Sequence, residues 1–182
     1  MDANKAIFDR RTIHSFEKRK VSELIIRKSL EAANQAPCHR LTFPWRFYSV
    51  ANKKRIQMLD LAIELKSQKK QLDEKTKNII RDKFLNPSHF IIASQTLSSD
   101  KLTRKEDYAA CACAIQNLSI SLTTEGVFTK WSTGEITRDP KTYTITEIDP
   151  QKEEIIGFIW IGYGTKLPNI SRPSIDQIYK EI

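Results

Sequence analysis

The chain has 182 residues, 40% of them hydrophobic, which suits one domain with a buried core and argues against disorder. No apolar run approaches the roughly 20 residues that a membrane-spanning helix needs. The first eleven residues lack the apolar centre of a signal peptide, so we expect a cytoplasmic protein. The formal charge of +8, from 30 basic and 22 acidic residues, suits nucleic acid, a membrane surface or small anions as partners.

The basic residues do not follow the pattern of a nucleic-acid groove. Between Lys53 and Lys83, ten lysines or arginines mix with five acidic residues along a helical pattern, which favours a solvated helix face. No aromatic residues alternate with them, as stacking on single strands requires. We therefore predict no nucleic-acid and no membrane partner, and keep a basic polyanion-binding protein only as an alternative.

The first half of the chain predicts helices with one strand between them. Asp2 can cap a first helix and Ser22 a second, which Pro37 ends. Residues 45–50 are rich in aromatic and β-favouring types and predict a strand. Residues 52–85 predict two helices. Their apolar stripes are marked by Ile56, Leu59 and Ile63, and by Leu72, Ile79 and Phe84.

The second half predicts strands around a long buried helix. Residues 90–93 are typical of a buried strand, and residues 127–131 also favour a strand. Residues 104–125 predict a helix that is apolar or small nearly all round, and so lies inside the protein or at a subunit interface. Residues 142–146 prefer a strand only locally, between two prolines. Residues 155–163 are apolar on both faces and predict a central strand. The stripe of the long helix is Tyr108, Cys111, Ile115, Leu118 and Leu122.

Glycine and cysteine usage excludes several kinds of site. The five glycines form neither G-x-G-x-x-G nor a Walker A loop, so a bound phosphate must be held mainly by Arg, Lys and hydroxyl side chains. The three cysteines do not suggest a disulfide framework. Cys111 and Cys113 point in different directions on a helix, so no metal site is predicted. Cys38 beside His39 leaves a Cys–His hydrolase open, but no Asn or Asp partner is indicated.

Two clusters of polar residues in the first 47 residues are candidates for ligand binding. Residues 10–14 place two guanidiniums, a hydroxyl and an imidazole at the end of the first helix, which suits phosphate. A solvated basic helix end, favoured by the helix dipole, would look the same. Residues 35–47 form a loop stiffened by two prolines that holds an amide, a thiol, an imidazole and a guanidinium. It is either a ligand-binding loop or a structural turn.

Two further clusters follow the last strands. Residues 130–134, Lys-Trp-Ser-Thr-Gly, can bring backbone N–H groups against a planar acceptor, or form an ordinary turn. Lys166 and Arg172 come after the central strand and complete a phosphate site or belong to a solvated tail.

Several of these segments resemble the nitroreductase family, in its small single-domain branch, over residues 1–160. The R-R-T at 10–12 is similar to the family's motif for the flavin phosphate and ribityl chain. The most specific signal is A-P-C-H-R-L-T-F-P-W-R-F at 36–47, which is similar to the family's A-P-x-H-x-x-x-x-P-W-R-F. W-S-T-G at 131–134 resembles a flavin-contacting turn, and E-I-I-G-F-I-W-I-G at 154–162 resembles the family's final strand.

The resemblance implies an α+β fold: a three-layer α/β/α sandwich with a mostly antiparallel central sheet, in a homodimer. The length predicts one domain over residues 1–182, and the tail from about 165 to 182, which has too few apolar residues for a core of its own, is expected to wrap on a neighbouring subunit. The resemblance also implies FMN, bound non-covalently at the dimer interface. The arginine pair would come from one subunit, and parts of the sheet and loops from the other.

The resemblance also predicts which residues bind the cofactor. Arg10, Arg11 and Thr12 would contact the phosphate and ribityl chain of FMN. Gln35 and His39 would approach the flavin from the neighbouring chain, and residues 131–133 would line the edge of the ring. Where the family often has a basic residue, this chain has His14, and Lys130 stands in place of an apolar residue. The predicted set is Arg10, Arg11, Thr12, His14, Gln35, His39, Lys130, Trp131, Ser132, Thr133 and Arg172.

The function implied by the resemblance is that of a flavoprotein oxidoreductase. NAD(P)H would pass a hydride to FMN and leave before a small oxidised acceptor, such as a nitro compound or quinone, takes its place: ping-pong hydride transfer. Because the flavin carries the chemistry, no catalytic protein residue and no metal are predicted. Lys130, or the backbone N–H groups of Ser132 and Thr133, would stabilise the reduced anion. The alternative is a flavin-binding module without turnover.

Overall fold

The computed structural model describes residues 2–164 and 166–182. Two single-turn 3-10 segments, His39–Leu41 and Glu135–Thr137, accompany the named helices and strands. The elements run α1 (Ala3–Asp9), α2 (Glu23–Ala33), β1 (Trp45–Ser49), α3 (Asn52–Ser67), α4 (Glu74–Leu85), β2 (His89–Thr96), α5 (Lys101–Thr124), β3 (Phe128–Ser132), α6 (Pro140–Thr146), β4 (Glu153–Gly162) and α7 (Ile175–Ile178).

The helix boundaries follow the capping residues that the sequence offers. The Asp2 carboxylate accepts a hydrogen bond from the Lys5 N–H at 3.4 Å, and the Ser22 hydroxyl accepts one from Leu24 at 3.2 Å. Both predicted caps are therefore confirmed. Helix α5 ends before Gly126, whose φ of +70° is a conformation that glycine adopts without strain.

The four strands form one antiparallel sheet in the order β1-β2-β4-β3. Strand β4 lies between β2 and β3, so the predicted central strand is confirmed. The register between β2 and β4 shifts where Ala93 faces Gly157 and Ser94 faces Ile155. This leaves Ile156 as an extra residue, a β-bulge in the central strand.

Helices cover both faces of the sheet and give three layers. On one face α2 and α5 pack over a core that includes Ile115, Leu118 and Ile159. On the other face, α3, α4 and α6 cover a core with Phe90 and Trp160, whose rings stack at 4.0 Å. The expected α+β sandwich with an antiparallel sheet is confirmed.

The preference of residues 142–146 for a strand is wrong, because they belong to helix α6. Asp139 caps this helix by accepting from the Lys141 N–H at 2.8 Å, and Pro140 occupies its first turn. These start signals outweigh the β preference of Thr, Tyr and Ile. Thr142 is fully buried and donates to the Ile136 carbonyl at 2.5 Å, so the helix is also fixed by its tertiary contacts.

The apolar stripes of three helices are partly wrong. The sequence pattern predicts Ile56, Ile79 and Tyr108 on buried faces, but they are 52%, 61% and 45% exposed. Helix α3 instead buries Met58 and Ala62, among others, and α4 buries Ile80 and Phe84. On α3 the buried face is turned by about one residue, or 100°, from the predicted stripe, although Leu59 is buried as predicted. On α4 and α5 the predicted stripes are confirmed apart from Ile79 and Tyr108, since the other helical members are buried: Phe84, Cys111, Ile115, Leu118 and Leu122.

The tail from residue 166 to 182 is exposed except at the half-buried Pro168. It contains the single turn α7, and Ile175, Ile178 and Tyr179 are each more than 60% exposed. Thr165, at the start of the predicted tail, lies outside the described residues. Within the described part of the chain, no helix has the length and apolar character needed to cross a membrane.

Candidate functional site

The segment after α1 is fixed against the edge strand β3 of the same chain. Thr12 forms a parallel bridge with Thr129, and the Ile13 N–H donates to the Thr129 carbonyl at 3.2 Å. Ile13 and Phe16 are buried, which holds the segment in place. The resemblance implied that the arginine pair and parts of the sheet come from different subunits. For β3 this is corrected, because one chain supplies both.

Three guanidiniums gather where α1 ends. Arg10 is half-buried, and its pKa is lowered by burial, then by Arg172, then by Arg11. The Arg10 Nε is buried without a hydrogen-bond partner in the described part of the chain. Burying an unpaired cation among like charges is costly, so this arrangement favours an anionic ligand.

Arg11 has a different role from Arg10. Its guanidinium donates to the carbonyl of Phe8 and, at 2.9 Å, to that of Arg10. It therefore satisfies carbonyls at the C-terminal end of α1, as in the alternative of a basic helix end. The two arginines that are adjacent in the sequence thus differ in their surroundings: the charge of Arg172 helps to lower the pKa of Arg10, and Arg11 donates to the end of the helix.

A second cationic cluster, defined by His14, Lys66, Lys83 and Lys130, lies beside the first. The Lys130 Nζ is 3.0 Å from the His14 Nδ1, where it donates to a neutral imidazole. The pKa of His14 is lowered mainly by Lys130, and the pKa of Lys130 is lowered by burial and by Lys66. Burial, Lys130 and Lys66 together lower the pKa of Lys83 to about 8.

None of the four residues of this second cluster takes part in an ion pair within the described residues, although Asp82 lines the same hollow as His14, Lys83 and Lys130. Lys66 and Lys83 were not predicted as members of a ligand site, because the mixed charges between Lys53 and Lys83 indicated a solvated helix face. Only the position of Lys83 beside the buried Phe84 was a hint, because a residue next to a core position can be half-buried itself.

Strand alternation divides the predicted residues of β3 between two faces. Lys130 and Ser132 face the second cluster, where the Ser132 hydroxyl accepts from the Trp160 indole at 3.3 Å. Trp131 points to the opposite face, and its indole donates to the bulge carbonyl of Ile156 at 3.2 Å. The ring of Trp131 therefore belongs to the core and not to the cationic face. Thr133 is exposed directly after the strand.

Two hollows meet at Lys83. One of about 400 Å³ lies between α3, α4 and the end of β3, with a floor that includes Phe84 and Phe158 and with Lys66 and Lys83 on its rim. The other, of about 490 Å³, is lined by His14, Lys83 and Lys130 among others. The chain therefore offers an apolar surface next to a cationic one, which suits a planar ligand with an anionic part.

The loop at residues 35–43 lies elsewhere in the same chain and is anchored to α5. The backbone φ angles of Arg40, Leu41 and Phe43 are 62°, 54° and 45°, a left-handed conformation that residues other than glycine rarely adopt. Thr42 donates to the buried Asp107 of α5 at 2.5 Å, and this contact holds the loop in place.

Within one chain, this loop is distant from the cationic clusters. Thr42 contacts α5 at Asp107, whereas Thr129 of β3 contacts it at Ser119, at 3.1 Å. The two contacts are about 18 Å apart along the helix, at 1.5 Å per residue. The structure therefore does not bring the exposed Gln35 and His39 to the other predicted residues in a single chain.

The cysteines do not form a nucleophilic site. Burial, followed by Asp107, raises the pKa of Cys111 to about 12, so it stays a neutral thiol. The Cys38 Sγ accepts from the Phe43 N–H at 3.2 Å and lies 3.3 Å from the Thr42 hydroxyl, so it stabilises its own loop. Among the described residues, no group of three or more His, Cys, Asp or Glu is placed to hold a metal ion.

The half-buried charge of Lys83 gives a pH-dependent prediction. Its folded-state pKa of about 8 lies below the 10.5 of an unperturbed lysine, so its charge destabilises the cofactor-free fold below pH 8. This cost is lost as the pH rises from 8 to 10.5. Lys83→Met should therefore raise the melting temperature at pH 7, by an amount that shrinks at pH 8.5 and again at pH 10.

Thermal unfolding of both proteins at the three pH values measures this effect. Lys75→Met is the matched control, because Lys75 is an exposed residue of the same helix. An increase in melting temperature that is the same at all three pH values, or equal to that of the control, would show that the charge of Lys83 is not the cause.

The fold and the site together define a class: a three-layer α+β domain whose edge strand supports two clusters of cations beside an apolar cleft. The model of the nitroreductase family matches residues 7–163. The chain belongs to the nitroreductase family, and the resemblance seen in the sequence is confirmed.

Relatives and solved structures agree with this assignment. The chain is 28% identical over 169 residues to the protein named "Putative NAD(P)H nitroreductase YfhC" of Bacillus subtilis, covering 91% of this chain and 86% of that protein. A nitroreductase-like protein from Bacillus cereus has a TM-score of 0.86 at 23% identity, covering 100% and 96% of the two chains. A protein of Desulfovibrio desulfuricans described as "a putative nitroreductase in complex with fmn" has a TM-score of 0.77 at 20% identity, covering 100% and 97% of the two chains.

Proposed function

We propose that the chain is an FMN-dependent NAD(P)H oxidoreductase that reduces a small oxidised acceptor, such as a nitro compound or a quinone. The observation that carries the proposal is Arg10, a half-buried cation with an unpartnered Nε beside Arg172. A related fold is known in complex with FMN, and a relative is named for NAD(P)H and nitro reduction. A cytoplasmic location stays a prediction from the sequence.

The donors of the first cluster fit the phosphate of FMN. The guanidiniums of Arg10 and Arg172 offer the paired N–H groups that phosphate oxygens accept, and Thr12 adds a hydroxyl next to them. Arg11 would contribute its charge more than its hydrogen bonds, since two of these go to backbone carbonyls. Burial is the main cause of the lowered pKa of Arg10, and an anion here would reduce the repulsion from Arg172 and Arg11 that adds to it.

The second cluster fits the ring of the same cofactor. When bound, FMN would supply the electron-carrying chemistry. Lys83 and Lys130 would place positive charge at the edge of the ring, which favours its electron-rich form over the oxidised one. Ser132 keeps its hydroxyl on the Trp160 indole and so fixes the end of β3, where the backbone turns into Thr133.

The proposal includes a homodimer, because the loop with Gln35 and His39 is distant from the cations of its own chain. A second copy would bring this loop against the ring from the other side. In the dimer, the described part of the tail, residues 166–182, would pack on the partner, and this contact would bury the exposed Ile175, Ile178 and Tyr179. These three side chains give the tail an apolar surface that its own chain leaves open.

The direct test is the absorption spectrum and the mass of the purified chain. We expect a yellow protein with one FMN per chain, the mass of a dimer by light scattering, and loss of flavin absorption on anaerobic addition of NADH or NADPH. A nitroaromatic or a quinone should then restore the absorption. A colourless protein that does not bind added FMN would contradict the proposal. If FMN bound but neither NADH nor NADPH reduced it, the oxidoreductase would be ruled out and the chain would be a flavin-binding module without turnover.

A further inference from the structure

The cleft between α3, α4 and the end of β3 has an uneven lining. Its floor is apolar and deep: Ile80, Phe84 and Phe158 line it, although each is at most 4% exposed overall. Its volume of about 400 Å³ suits a small ring compound and is at the lower end for ligand sites in proteins. The floor therefore favours a planar, apolar body.

The rim of the cleft carries positive charge that differs from residue to residue. Lys69 and Glu135 both line the rim and form an ion pair at 2.5 Å, so together they contribute little net charge. Lys66, in the last turn of α3 and three residues before Lys69, forms no ion pair within the described part of the chain. Lys66 is thus an exposed cation at the mouth of the cleft whose charge no described carboxylate neutralises in an ion pair.

The charge of Lys66 acts on the site itself. It is among the causes that lower the pKa of Lys83 and of Lys130. An anion bound by Lys66 would reduce this repulsion, so binding at the mouth is favoured by two cations in addition to Lys66. A neutral ligand would leave the repulsion in place.

We infer that the acceptor is a small planar molecule that carries a carboxylate or an equivalent anionic group, and this inference rests on the proposed function. Lys66 binds the anionic group at the mouth of the cleft. The apolar floor holds the ring, and the end of the molecule near Ser132 and Lys83 lies towards the proposed cofactor site. Lys66 is therefore a specificity-determining residue for aromatic acids over their neutral analogues.

The kinetic test compares 4-nitrobenzoate with its methyl ester, which keeps the ring and the nitro group but lacks the charge. In Lys66→Met, the ratio of kcat/KM for the acid to kcat/KM for the ester should fall about fivefold, as expected for one partly exposed ion pair. Lys66→Arg should keep the ratio, and so should Lys70→Met, an exposed lysine outside the cleft. An unchanged ratio in Lys66→Met would overturn the inference.

A binding test separates this inference from the proposed function. Calorimetry with 4-methylbenzoate and 4-methylbenzamide needs no turnover, and we expect the acid to bind more tightly, with a preference that weakens in 0.5 M salt and in Lys66→Met. If the chain failed to oxidise NAD(P)H but kept this preference, the proposed function would fail and the ligand class would stand. Equal binding of acid and amide would overturn the ligand class.

One further outcome assigns the anion to the nucleotide instead. If Lys66→Met raised the KM for NADPH but not for NADH, and left the ratio of acid to ester unchanged, Lys66 would serve the extra phosphate of NADPH. That result would overturn the inference.

Discussion

Replacing Arg10 with methionine should weaken FMN binding about 10- to 100-fold. A hydrogen bond to a charged group contributes about 1.5–3 kcal/mol, and about 1.4 kcal/mol corresponds to a factor of ten. Methionine keeps the apolar stem of the half-buried side chain, so the loss reports the guanidinium. Titration of FMN fluorescence against the cofactor-free variant measures the dissociation constant.

Two other arginines provide the controls. Arg11→Met should have a smaller effect, because the Arg11 guanidinium donates to the carbonyls of Phe8 and Arg10. Arg27→Met, an exposed position on α2, should leave FMN binding unchanged. If Arg11→Met cost more affinity than Arg10→Met, the assignment of separate roles to the two arginines would be wrong.

Gly157→Ala should destabilise the fold by about 1–3 kcal/mol, the usual cost of overpacking a core. A Cβ at this position would lie 2.0 Å from the Nε1 of Trp131 and 3.1 Å from the Ser132 carbonyl. The indole would have to move and release the Ile156 carbonyl of the bulge. Urea unfolding followed by circular dichroism gives the free energy, and tryptophan fluorescence reports the displaced indole.

Gly134→Ala is the matched control for this substitution. A Cβ at Gly134 would meet no heavy atom within 4 Å, and its φ of −85° suits any residue. We expect its stability to stay within about 0.5 kcal/mol of the parent. A Gly157→Ala protein as stable as the Gly134→Ala protein would mean that Trp131 is not held against the bulge.

The sequence predicted the sheet and most helices because their signals are local and strong. Strand β4 is apolar on both faces, and the caps Asp2 and Ser22 begin their helices as expected. The strand preference at residues 142–146 was wrong because two signals for a helix start, Asp139 and Pro140, outweigh the β-favouring residues that follow. The hydrogen bond of Thr142 to the Ile136 carbonyl is a tertiary contact that also fixes the helix, and it cannot be seen in the local sequence.

The candidate site was predicted only in part, because half of it depends on distant contacts. Residues 10–12 are close together in the chain and could be grouped by a motif. Lys66 and Lys83 meet Lys130 only through the packing of α3 and α4 on the sheet, which no local pattern records. Strand alternation sets the face on which Trp131 lies, but the partner of its indole is the Ile156 carbonyl of the bulge, and a bulge has no signal in the sequence beyond the glycine that follows.

The proximity of so many cations that form no ion pair in the described part of the chain links the lifetime of the protein to its ligand. A molecule that binds only the folded form stabilises it by an amount that grows with concentration, and here it also removes internal repulsion. We expect newly made chains to survive in a cell in proportion to the supply of the anion. Copies made in excess of that supply would open more often and be degraded by proteases.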